Sequence, residues 1–138
     1  MTTPFVDAVG QDVLVAVEQE PAIATVYLFG SFGTTSFHHE SDIDLGILFF
    51  QKMVPHGMEF FDLKDRLSTR LHCEVDVVCL NKADPIISMQ VLRKGRIILD
   101  RNPRLRHEFF VRTVSFYADL KRVRRPIEAE ISRGHVFS

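Results

Sequence analysis

Val26-Tyr27-Leu28-Phe29-Gly30-Ser31-Phe32-Gly33, continued by Ser41-Asp42-Ile43-Asp44-Leu45-Gly46, is the stretch that decides the fold of this chain. Thr25 to Phe29 is a short apolar run rich in β-branched and aromatic residues, which predicts a buried strand. Gly30-Ser31 breaks it. Residues 31–41 are rich in Gly, Ser, Thr and His and suit a turn or a short helix. Asp42 to Phe50 alternates and then becomes apolar, which predicts a second strand. Side chains on a strand point to alternate faces. Asp42 and Asp44 therefore point one way, and Ile43, Leu45 and Ile47 the other.

Working outward, Val6, Val9, Val13 and Val17 recur at helical spacing and predict a helix over residues 5–19, ended by Pro21. Pro55 and Gly57 mark a loop. Phe60, Leu63, Leu67 and Leu71 give a second helix, and Glu74 to Leu80 a third strand. Asp84-Pro85 starts a short helix, with Asp as cap and Pro in the first turn, and Gly95 closes it. Arg96 to Leu99 reads as a short edge strand. A long helical pattern runs from Pro103 to Val123, with Phe109, Phe116 and Leu120 on one stripe, and Pro126 is expected to interrupt it. The fold class is α/β (α+β): a small mixed sheet with helices packed on it. The expected division is one domain over residues 1–125 and a C-terminal tail over 126–138 that is flexible or ordered by a partner.

The length of 138 residues is enough for one self-supporting core. Its 46% apolar and 25% charged residues are those of a globular protein and argue against disorder. No secretory signal opens the sequence, and no apolar run is long enough to span a bilayer. The expected location is the cytoplasm, without membrane contact. Cys73 and Cys79 have no zinc-site spacing and are read as reduced. The net charge of −1 predicts no direct nucleic-acid binding. Its distribution is uneven. Residues 1–100 hold 8 Lys/Arg against 14 Asp/Glu, a balance of −6, while residues 101–138 hold 9 against 4, a balance of +5. A basic end on an acidic body suits a surface for an anionic partner, with a solvated helix face as the plain alternative.

The chemistry follows from the acids. Two carboxylates held close repel each other, and a hard divalent cation between them removes the cost. Asp76, inside the apolar run Glu74-Val75-Asp76-Val77-Val78, is the natural third acid if its strand lies beside that of Asp42 and Asp44. Glu74 shares its face and stays open as a contributor. Three carboxylates are enough for two metal ions. Gly30-Ser31, where a strand turns, offers free backbone N–H groups and a hydroxyl to phosphate. His38 and His39 are read as exposed loop residues. Phe116 and Tyr117 are read as core packing rather than as a platform for a base.

Gly30-Ser31, ten residues, then Asp42-x-Asp44 resembles the signature of the DNA polymerase beta nucleotidyltransferase superfamily. The small size and early motif are similar to its minimal nucleotidyltransferase (MNT) branch. So are the run Val91 to Asp100 and the helix containing Phe116-Tyr117-Ala118-Asp119-Leu120-Lys121. The resemblance spans roughly residues 10–122 and implies a polymerase-beta-like nucleotidyltransferase fold. It implies that Gly30 and Ser31 hold the triphosphate of ATP and that Asp42, Asp44 and Asp76 bind Mg2+, two ions in all. Asp76 would also be the base for the incoming hydroxyl. Many members carry arginine just after the Gly-Ser pair, where this chain has Phe32, Gly33 and Thr34. The branch implies an antitoxin that transfers AMP to a tyrosine of a HEPN-domain ribonuclease toxin within a hetero-oligomer. The rival expectations are a non-catalytic antitoxin that neutralises by contact, and a transferase acting on a small molecule such as an aminoglycoside.

Overall fold

A computed structural model describes residues 8–29 and 43–132, with side chains as far as residue 122. The elements in chain order are α1 (Ala8–Glu18), β1 (Ile23–Phe29), β2 (Ile43–Phe49), a 3-10 turn (Gln51–Met53), α2 (Met58–Leu71), β3 (Val75–Cys79), α3 (Pro85–Lys94), β4 (Arg96–Asp100) and α4 (Pro103–Ser132). The expected mixed sheet with packed helices is present. Its four strands run in the order β3-β2-β1-β4. β1 pairs antiparallel with β2 and β4, and β2 pairs parallel with β3.

Alternation along the strands builds two cores. Ile43, Leu45, Ile47, Phe49 and Val75 join Val13, Ala16 and Val17 of α1 and Leu63 and Leu67 of α2. On the other face Tyr27, Leu48 and Leu80 meet Val91 of α3 and Phe109 of α4. Gly46 lies on this second face because α3 comes close: an added Cβ would stand 2.9 Å from Val91 Cγ1. α3 starts as its sequence predicts, with the Asp84 carboxylate accepting from Ile87 N at 2.8 Å and Pro85 in the first turn. The Gly95 N–H closes it on Val91 O at 2.8 Å.

Polar staples fix the ends of the elements. Arg66 donates two hydrogen bonds to Glu20, at 2.9 and 2.8 Å, and Arg70 a third at 2.8 Å, so the end of α1 is tied to α2. Arg101 donates to the carbonyl of Glu18, which ends α1 and has no intrahelical donor, and to those of Glu20 and Ile23 in the turn that leads into β1. Asn81 brackets the end of β2, accepting from Phe49 N and donating to Phe49 O.

Two expectations about α4 are corrected. The helix continues through Pro126 to Ser132. A proline removes one donor and bends a helix, yet the remaining bonds can carry the helix past it. The stripe also differs. Phe109 and Thr113 are buried, Tyr117 and Leu120 half-buried, and Phe116 is 52% exposed. The buried row steps by four residues from Phe109 to Thr113 to Tyr117, which turns Phe116 outward. Arg93 lies over the Tyr117 ring, 5.3 Å from its centroid. Cys73 and Cys79 are reduced. Among the described residues, no helix is long and apolar enough to cross a membrane.

Candidate active site

The sheet register brings the candidate residues to one end. Phe29, the last residue of β1, is opposite Asp44 on β2. Asp44 is in turn opposite Asp76 on β3. The three stand in a row across neighbouring strands, and directly paired residues point to the same face. Gly30 and Ser31 follow Phe29 in sequence. They, Asp42, His38 and His39 lie outside the described residues.

Asp44 is half-buried. Its carboxyl is held above the ordinary carboxylate range, first because burial disfavours the charged form and second because Asp76 puts a negative charge beside it. Phe29, paired with Asp44 in the register, packs against the second core. Asp76 is more open, with its side chain 48% exposed, and its Oδ1 lies 3.5 Å from Lys64 Nζ. Glu74 is exposed one residue before β3, and its backbone carbonyl accepts from Ile43 N at 3.0 Å.

Among the described residues, no three His, Cys, Asp or Glu side chains come together as a metal group. The described part of the site is thus a pair, Asp44 and Asp76, and Asp42 precedes β2 by one residue. The pair suits a hard cation. A half-buried carboxylate with another beside it favours a nearby positive charge, and hard divalent cations favour oxygen ligands.

Lys64 is the residue that sequence reasoning missed. Its place on α2 carries no signal, because it looks like a polar residue beside the Leu63–Leu67 stripe. Only the packing of α2 beside the edge strand β3 brings it to Asp76.

The polymerase beta nucleotidyltransferase family model matches residues 11–104. This chain belongs to that family. The family domain thus spans the whole sheet and ends where α4 begins. The chain is 29% identical over 109 residues to protein adenylyltransferase MntA of Shewanella oneidensis, covering 78% of this chain and 75% of the relative. It superposes on a chain of a toxin–antitoxin crystal structure with AMP-PNP at a TM-score of 0.73 and 25% identity, covering 89% of this chain and 98% of that one. A complex of a tri-AMPylated Shewanella oneidensis HEPN toxin with its MNT antitoxin shares the fold at a TM-score of 0.70 and 24% identity, covering 90% and 96%. The nucleotidyltransferase fold expected from the sequence is therefore the fold observed.

Proposed function

We propose that this nucleotidyltransferase is a cytoplasmic antitoxin that transfers AMP from ATP to a tyrosine of a HEPN-type ribonuclease toxin. The observation that carries the reading is the register that sets Asp44 against Asp76 beside the end of β1. The likeness to a protein adenylyltransferase and to a toxin–antitoxin structure holding AMP-PNP supports the choice of donor and acceptor.

In this reading Gly30 and Ser31 offer backbone N–H groups and a hydroxyl to the triphosphate. Asp42, Asp44 and Asp76 would hold magnesium, two ions, which would supply a lowered pKa for the attacking hydroxyl and positive charge against the phosphates. Asp76, the more open acid, takes the tyrosine proton. The tyrosine oxygen bonds to the α-phosphorus, and the bond to pyrophosphate breaks. The added phosphate brings negative charge to a toxin surface that must accept RNA phosphates, and like charges repel.

The acceptor is a separate protein, and α4 is the surface offered to it. Phe110, Val111 and Val114 are exposed along one side of α4, away from the buried Phe109–Thr113 row. Arg104 and Arg122, 90% and 76% exposed, flank the apolar patch. Antiparallel pairing of two copies about Val111–Val114 would set Arg104 against Lys121, which disfavours a self-dimer. A partner with an apolar ridge edged by carboxylates suits the surface better.

The test is intact-mass spectrometry of a HEPN toxin encoded beside this protein, after incubation with this protein, ATP and magnesium. A gain of one or more AMP units on tyrosine is expected. An unmodified toxin that Asp42→Asn protein still neutralises would replace this reading with neutralisation by contact.

A further inference from the structure

Lys64 stands on α2, which packs on the sheet face opposite to the one that carries Asp44 and Asp76. β3 is an edge strand. Lys64 Nζ nonetheless comes to 3.5 Å from Asp76 Oδ1. The contact is long and partly open to water, with the two side chains 32% and 48% exposed. A lysine here is a point charge on a flexible stem. Such a pair is weak and exchanges readily. It contrasts with Glu20, which Arg66 grips through two short hydrogen bonds.

We propose that Lys64 is the built-in counter-ion of the carboxylate site. It partners Asp76 in the metal-free protein and yields when a divalent cation enters. The inference rests on the reading of Asp44 and Asp76 as metal ligands. Two cations at one carboxylate repel, so Lys64 lowers the affinity of the site for free metal. An anionic triphosphate offsets that repulsion. Lys64 therefore makes metal loading depend on the donor, and the metal is admitted together with ATP. It acts through Asp76 and is a positioning residue.

The experiment is titration of the full-length, nucleotide-free protein with Mn2+, followed by electron paramagnetic resonance, for wild type, Lys64→Met and Lys64→Arg. The Lys64→Met protein should bind Mn2+ about two- to fivefold more tightly, the range an exposed ion pair can supply. The Lys64→Arg protein keeps the charge and should behave as wild type. The gap between wild type and Lys64→Met should narrow with AMP-PNP present. Without metal, the Lys64→Met protein should melt lower than wild type, and saturating Mn2+ should close the difference. A lysine with only a structural role would shift melting equally with and without metal and leave Mn2+ affinity unchanged. Measurable binding by wild type with equal or weaker binding by Lys64→Met overturns the role of Lys64 alone. No Mn2+ binding by any of the three proteins, with or without AMP-PNP, overturns the metal reading itself.

Discussion

Glu20 and Asp44 are both acids drawn away from water, at opposite ends of β1, and their surroundings differ in sign. Glu20 is buried and accepts three short hydrogen bonds from Arg66 and Arg70. The Arg66 hydrogen bonds lead the effects that pull its carboxyl below the ordinary range, outweighing burial. Asp44 is half-buried beside another acid, and its carboxyl is pushed up by burial and by Asp76. The fold thus completes one acid and leaves the other short of positive charge. A satisfied acid holds helices together. Asp44, with only the loosely paired Asp76 beside it at the end of the sheet, suits a site that a cation and a triphosphate complete.

The largest effect that sharpens this contrast is on catalysis. Asp44→Asn should lower AMP transfer by about two orders of magnitude or more, since ligand loss removes metal stabilisation of the transition state. Glu20→Gln should leave the transfer rate per folded molecule near wild type. An active Asp44→Asn protein, assayed with labelled ATP, would break the comparison from the catalytic side.

Stability should respond the other way. Glu20→Gln leaves Arg66 and Arg70 without their carboxylate and should cost about 2–3 kcal/mol in urea unfolding. Gly46→Ala should cost about 1–2 kcal/mol by forcing β2 and α3 apart, because its Cβ would come within 2.9 Å of Val91. A Gly46→Ala protein as stable as wild type would mean that α3 sits less closely on the second face.

The smallest effect is in pH dependence without metal. The Glu20 carboxyl is lowered from 4.5. Its contribution is full above that unfolded value and is lost as pH falls through the lower folded one. The Asp44 carboxyl is raised from 3.8, so its ionisation costs nothing below that value. The cost grows as pH rises toward the folded pKa and is complete above it. Asp44→Asn should therefore melt slightly higher than wild type at neutral pH, and the gap should close below about pH 4, the ordinary carboxylate range. Glu20→Gln should show the reverse, melting lower than wild type at neutral pH with a deficit that shrinks in acid. Parallel curves for Asp44→Asn and wild type would mean that Asp44 bears no such cost.

Much of the fold was legible because strand and helix leave different periods. The valines of α1, the leucines of α2, the Asp84-Pro85 start of α3 and the Gly95 stop all mark the elements that form. The sheet neighbours of Asp44 were legible only as a condition, because strand order depends on packing between distant segments; the register supplies it. The outward turn of Phe116 was missed because an apolar stripe does not say which edge of it a neighbouring helix covers. The continuation of α4 past Pro126 was missed because proline is read as a stop even where the helix resumes. Lys64 was invisible because a lysine beside a leucine stripe is ordinary, and its meaning comes from the edge position of β3.

The central claim is that Asp44 and Asp76 form one cation site, and the most direct measurement is anomalous diffraction from crystals holding Mn2+ and AMP-PNP. The account predicts an anomalous peak about 2.0–2.3 Å from carboxylate oxygens of Asp44 and Asp76, the contact range of small hard cations, with Lys64 withdrawn from Asp76. A nucleotide bound with its metal away from these two acids, and Lys64 still on Asp76, would contradict it.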